Sequence, residues 1–265
     1  MTIARVVSAA ALVVALAAGG CSAKRETAER RGRVRVAAAA DLNHALGAVI
    51  AGFGARHDVD VTVSYGSSGT FYAQLLNEAP FDLFLSADLQ YPNGLAAHGL
   101  TLPQTEFTYA VGRLVLWAPI ASPLAIDRDG FAALTDASIA HLAIANPEHA
   151  PYGRAAVAAM QSAGIYDRLR PKLVLGDNVA QTMQFAQSGA ADAAIVAKSL
   201  TLTPKVKGTG RVFEIPPASY PRMDQGGVIL RWAADPDAAR ALRGFMLSAD
   251  GRAILERSGF ALPER

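Results

Sequence analysis

Cysteine is all but missing from this chain: Cys21 is the only one in 265 residues. No internal disulfide can form, and a cysteine-based zinc site is excluded. Aromatic residues make up 7% and the net charge is only +2, with no Lys/Arg cluster beyond the N-terminal tail. That leaves no basic, stacking surface for nucleic acid. The five histidines, His44, His57, His98, His141 and His149, show no metal spacing such as H-E-x-x-H. Neither G-x-x-x-x-G-K-[ST] nor G-x-G-x-x-G occurs, so nucleotide hydrolysis and dinucleotide binding have no support. A nucleophile elbow needs glycine two positions before and after a serine. Ser68 has Gly66 but Thr70, and Ser67 has Gly69 but Tyr65. Charged residues, at 18%, fall below the roughly 25% of an average soluble domain. No catalytic residue and no cofactor is expected.

What the chain does have begins with an address. Arg5 and the apolar run Val6 to Ala18 form a charged n-region and an h-region too short to span a bilayer, the pattern of an export signal over 1–20. The run ends at Ala17-Ala18-Gly19-Gly20-Cys21. Cys21 after two glycines reads as a lipoprotein attachment site, although Ala18 stands where a lipobox usually has Leu. The alternative is ordinary cleavage nearby with Cys21 idle. Residues 21–32 are polar and aperiodic, as a tether from membrane to domain would be. Nothing after residue 20 has the length and apolarity of a membrane span.

Beyond the tether, strands and helices alternate. Leu42, Ala45, Leu46, Val49, Ile50 and Phe53 follow a helical period, with Asp41 at the expected N-cap. Val59, Val61 and Val63 alternate as a strand, Thr70 to Asn77 reads as a helix, and Asp82 to Ser86 as a buried strand. This alternation implies a parallel sheet. A second βαβ series runs from His141 to Val196. Between and after the two series lie long β-prone stretches, Phe107 to Trp117 and Gly226 to Trp232. Both are expected to cross between two lobes. The boundaries that follow are 33–108 plus 227–265 for lobe 1 and 109–226 for lobe 2. Pro236 to Ser248 and Ala249 to Ser258 read as closing helices, with Gly259 as the stop signal.

Four turns each lead from a strand into a helix. They are Ala37-Ala38-Ala39-Ala40-Asp41-Leu42, Tyr65-Gly66-Ser67-Ser68-Gly69-Thr70, Asn146-Pro147-Glu148-His149-Ala150-Pro151-Tyr152-Gly153 and Gly176-Asp177-Asn178-Val179-Ala180-Gln181. Amides at the start of a helix lack intrahelical acceptors and lie at the positive end of its dipole. Turns of this kind facing one crevice would hold a small oxyanion. Each also has a plainer reading: a serine or Asn178 can simply cap its helix, and the Pro-containing turn can simply be rigid.

These turns, with Gln74, the run Ala79-Pro80-Phe81-Asp82-Leu83-Phe84-Leu85-Ser86-Ala87-Asp88 and the ending Phe245-Met246-Leu247-Ser248, Ile254 and Gly259-Phe260, resemble the periplasmic molybdate-binding proteins of ABC importers. The resemblance runs from about Arg33 to the end. It implies an α/β, two-lobed type II periplasmic-binding-protein fold, its ligand cleft lying between lobes joined by two crossing strands. Molybdate or tungstate would be held there by neutral donors, without a cofactor. The positions implied for ligand binding are Ala40, Asp41, Ser67, Ser68, Tyr152 and the backbone of Val179. The implied partners are an ABC permease and its ATPase, the membrane through a lipid anchor on Cys21, and no nucleic acid. The implied state is an exported, periplasmic or cell-surface monomer.

Two positions depart from the family pattern. One branch of the family has a hydroxyl residue and another an Asn where this chain has Asp41. Many members place a ligand-binding Tyr after Gly-Ile-Val, where this chain has Ala197 after Ala194-Ile195-Val196. A carboxylate aimed at a dianion would be repulsive, so Asp41 is expected to turn onto its own helix as a cap. The alternatives are an Asp41 that accepts a proton from a phosphate-like ligand, and a serine hydrolase built on Ser67 or Ser68 with His44 as the nearest histidine.

Overall fold

The computed structural model describes residues 31–264. The export signal over 1–20, Cys21 and nearly all of the tether lie outside the described residues. Gly32, placed in the tether by sequence, already opens the first strand.

The first lobe begins with β1 (Gly32–Ala39), α1 (Ala45–Gly54), β2 (Val59–Gly66), α2 (Ser68–Leu75), β3 (Leu83–Ser86), α3 (Gln90–Ala97) and β4 (Phe107–Val111). The chain then builds β5 (Leu114–Pro119), α4 (Ile126–Asp129), β6 (Leu142–Ala145), α5 (Pro151–Ser162), α6 (Tyr166–Leu169), β7 (Leu173–Gly176), α7 (Val179–Gln187), β8 (Ala193–Ala197), α8 (Lys198–Thr201) and β9 (Gly210–Glu214). It returns through β10 (Asp224–Ile229) and ends in α9 (Pro236–Leu247) and α10 (Ala249–Arg257). Two five-stranded sheets result, ordered β2-β1-β3-β10-β4 and β7-β6-β8-β5-β9.

In the first sheet β1 lies parallel to β2 and β3, and β10 runs antiparallel between β3 and β4. Helices cover both faces of the inner strands, and the segments 36–39, 83–85 and 226–229 accordingly read as apolar runs. Val34, Val36, Ala37, Ala38, Leu83, Phe84 and Leu85 are all buried. Asp82, at the entry to β3, ties this lobe together. It accepts from the Arg35 backbone N–H at 2.7 Å, from the Arg35 guanidinium at 2.9 and 3.0 Å, and from the Ala234 N–H at 2.8 Å. Asp235 and Ser248 cap α9 and α10 by accepting from the Ala238 and Gly251 amides. Gly259, at φ +92°, ends α10 in the left-handed region that favours glycine.

The stretch Phe107 to Trp117 is not one crossing strand. It breaks at Gly112 and Arg113, so that β4 belongs to the first sheet and β5 to the second. Gly112 sits where the chain passes under the cleft, and a Cβ there would lie 2.7 Å from the Tyr152 hydroxyl and 3.0 Å from Gln225 Nε2. The first stretch thus crosses between the sheets as two strands, whereas the second stays within the first sheet. It supplies β10 to the first sheet, and the return is made by the irregular segment 215–223 just before it.

Candidate functional site

Six residues singled out from sequence meet on one cavity. Ala40, Asp41, Ser67, Ser68, Tyr152 and Val179 all line it, together with Ala39, Gly66, Ala87, Ala150, Pro151 and Asn178. In the closed arrangement about 10 Å³ stays open among these residues, room for about one water.

Three helices begin on this space. The first residue of α2 is Ser68 and the first of α7 is Val179, so their amides have no intrahelical acceptor. Neither donates to any other described residue. The N-cap of α7 is Asn178, whose side-chain oxygen accepts from Ala180 and Gln181 at 3.0 and 3.1 Å. Capping by Asn178 thus uses the next amides and leaves that of Val179 to the cavity. Pro151 opens α5, and its second residue, Tyr152, is buried at the wall. Gly153 brings α5 against the sheet: a Cβ there would meet the Ala145 carbonyl oxygen at 2.1 Å.

Neither serine caps its helix. Ser68 Oγ accepts from the Ala87 N–H at 3.0 Å, which leaves its own proton free to donate into the cavity. Ser67 instead donates across the cleft to the His149 carbonyl at 2.6 Å. The same carbonyl accepts from the Gly69 N–H at 2.9 Å and from the Tyr91 hydroxyl at 3.4 Å. Arg154 extends the seam, pairing with Asp88 at 2.5 Å and with the Tyr91 hydroxyl at 3.1 Å. These contacts join residues of the two sheets, so the lobes are closed on one another.

Asp41 is not an N-cap. A 3-10 turn over Ala40–Leu42 and the turn at Asn43 and His44 delay α1 to Ala45, with His44 at its N-cap position. The carboxylate therefore points across the cleft instead of onto α1. Its Oδ2 accepts from the Tyr152 hydroxyl at 3.0 Å and from Gln225 Nε2 at 2.5 Å. Oδ1 is buried without a hydrogen-bond partner. Burial pushes the Asp41 carboxyl up to about 6, against the lowering effect of Gln225, Tyr152 and the nearby amides of Asp41 and Leu42. Burial and then the charge of Asp41 hold the Tyr152 hydroxyl well above its ordinary range, so it stays a donor. Its proton is engaged by Asp41.

Gln225 escaped the sequence reading, and so did Ser199, whose hydroxyl donates to the Asp41 carbonyl at 2.8 Å. The available signal for Gln225 was a polar amide directly before the apolar run Gly226-Gly227-Val228-Ile229; it is fully buried in β10. Ala197 is buried in β8 opposite Leu114 and does not line the cavity. The hydrolase arrangement fails in detail. The histidine beside a serine is His149, not His44, with Nδ1 3.0 Å from Ser67 Oγ. Yet the Ser67 proton goes to a carbonyl, and no carboxylate contacts the His149 ring among the described residues. No cluster of three metal-ligating side chains occurs among them either.

Two closed lobes with helix starts converging on a compact cavity define a receptor for a small anion. A profile of the bacterial extracellular solute-binding proteins matches residues 34–261. The molybdate-binding protein ModA of Rhodobacter capsulatus is 37% identical over 229 residues, covering 86% of this chain and 88% of that protein. The ModA of Azotobacter vinelandii is 36% identical over 95% of this chain and 97% of its own length. The solved structure of the Azotobacter vinelandii periplasmic molybdate-binding protein superposes with a TM-score of 0.82 at 33% identity, covering 87% of this chain and all of that one. This chain belongs to the bacterial extracellular solute-binding protein family. It is an exported binding component of an ABC transport system and not an enzyme. No helix among the described residues is long and apolar enough to cross a membrane.

Proposed function

We propose that this protein captures molybdate, and tungstate with it, between its lobes and delivers the ion to an ABC permease driven by its ATPase. The observation that carries this reading is the compact cavity with unused donors: the Ser68 hydroxyl and the amides of Ser68 and Val179. Such donors suit a tetrahedral oxyanion, whose charge the helix starts favour. Ala40, Ser67 and Tyr152 shape the wall, and Ser67 and Tyr152 also hold the lobes together. The names of the two relatives support molybdate as the ion. Acylation of Cys21 would anchor a monomer to the membrane, with residues 21–31 as its tether.

The test is thermal unfolding of desalted protein with molybdate, tungstate, sulfate or phosphate. A ligand bound only by the folded state stabilises by about 4.1 kcal/mol at a thousandfold excess over Kd. Molybdate and tungstate are expected to raise the melting temperature strongly and sulfate and phosphate weakly. Equal shifts with sulfate would remove the molybdate assignment. Mass spectrometry of membrane-extracted protein decides the Cys21 anchor.

A further inference from the structure

Asp41 does more than complete the wall. The residue is 1% exposed and lines the cavity, yet only one of its oxygens is occupied. Oδ2 takes both donors, Tyr152 and Gln225, while Oδ1 has none. The surrounding elements bring no cation to it. Tyr152 comes from α5, Tyr109 from β4, Gln225 from β10 and Ser199 from α8. The Tyr109 hydroxyl is spent on the Ser86 carbonyl at 2.9 Å. Lys198, beside Ser199, is paired with Glu214, and Arg154 with Asp88. The ring of His149 faces Ser67, and His44 makes no hydrogen bond to the carboxylate.

We propose that Asp41 is the selectivity residue of this site and meets the oxyanion in protonated form, its Oδ1–H donating to a ligand oxygen, so that capture of a dianion takes up one proton. This rests on the oxyanion reading above. An ionised Oδ1 would set like charges together in a water-poor cavity, where repulsion is strong. The protonated carboxyl supplies a donor at Oδ1, the oxygen of Asp41 that has no partner, and Oδ2 keeps both of its hydrogen bonds. Solvent provides the proton, and no bond of the ligand is broken. Burial already favours the neutral acid, and a dianion alongside favours it further. A donor of this kind discriminates by ligand basicity. The more basic oxygens of molybdate gain more from it than the weakly basic oxygens of sulfate.

The experiment is calorimetric titration of the protein with molybdate from about pH 6 to pH 9, in buffers of different ionisation enthalpy. Affinity is expected to fall by about tenfold per pH unit above neutrality, with about one proton taken up per ion bound. Molybdate itself stays a dianion throughout. In Asp41→Asn the amide donates in place of the acid, so the slope and the proton uptake should both vanish, and binding at the alkaline end should exceed that of the native protein. Flat affinity without proton uptake in the native protein overturns the proposal, as does an Asp41→Asn variant that keeps the slope. If the variant does not fold, proton uptake by the native protein decides alone. Binding of phosphate in place of molybdate, following the ionisation of phosphate itself, puts the proton on the ligand and also overturns it. Absence of binding by molybdate and tungstate at every pH is a separate result, which removes the oxyanion reading and this inference together.

Discussion

The Tyr152 hydroxyl donates to Oδ2 of Asp41 at 3.0 Å, and the two residues stand on different lobes. An acid of lobe 1 therefore accepts a hydrogen bond from the first turn of α5, in the second lobe, at the wall of the ligand cavity. On the proposal above, closure of the lobes and protonation of Asp41 would be coupled through this contact, because ionised Asp41 is the better acceptor and neutral Asp41 the better neighbour for an anion. Four consequences can be measured.

Stability without ligand should respond to pH through Asp41. Its folded value, about 6, lies above the unfolded carboxylate value near 3.9. Between these values the folded state binds more protons, so stability falls as pH rises from about 4 to 6 and the loss is complete above that. Asp41→Asn should remove this dependence. At neutral pH the variant should be more stable by about 1 to 3 kcal/mol, read from urea unfolding at pH 5 and pH 8.

Asp82 acts in the opposite direction. Burial would raise its carboxyl, but hydrogen bonds from Arg35 and from the amides of Ala234 and Arg35 outweigh burial and hold it below its ordinary value. Its contribution is present above the unfolded value near 3.9 and is lost as pH falls through the lower folded value. Asp82→Ala should cost about 2 to 4 kcal/mol at neutral pH, since it leaves two amides and a guanidinium without their acceptor. The acid limb of the unfolding profile should flatten in the variant.

The two serines should separate by role. Ser68→Ala removes a hydroxyl donor from the cavity and should weaken molybdate binding by about 1.5 to 3 kcal/mol while leaving the fold intact. Ser67→Ala removes a neutral bond across the cleft and should cost about 0.5 to 1.5 kcal/mol, visible as a more open protein in small-angle scattering. Unchanged affinity in both variants would place the ligand elsewhere.

Gly112→Ala tests the close passage of the connection beneath Tyr152. A Cβ at 2.7 Å from the Tyr152 hydroxyl must displace it, at a cost of about 1 to 3 kcal/mol. Because Tyr152 holds Asp41, the midpoint of the Asp41-linked pH dependence should rise together with the loss of stability.

The alternation of strands and helices, the four strand-to-helix turns and the compact anion class were legible in the chain because each follows from local rules. Period 2 or 3.6, small residues at turns and unpaired amides at helix starts need no partner distant in sequence. Ala40, Asp41, Ser67, Ser68, Tyr152 and Val179 lie on these turns, but it was the resemblance to molybdate-binding proteins that named them as a set. Their use was decided by tertiary structure. Whether Asp41 caps α1 or faces Gln225, 184 residues away, depends on where a 3-10 turn delays the helix and on what the opposite lobe presents. Ser67 shows the same limit, since its acceptor is a carbonyl 82 residues distant. The break at Gly112 belongs here too: β-propensity runs on through Phe107 to Trp117, and only the need to pass from one sheet to the other beneath Tyr152 divides it. Local chemistry places donors at helix starts, but packing between lobes determines which protons remain for a ligand.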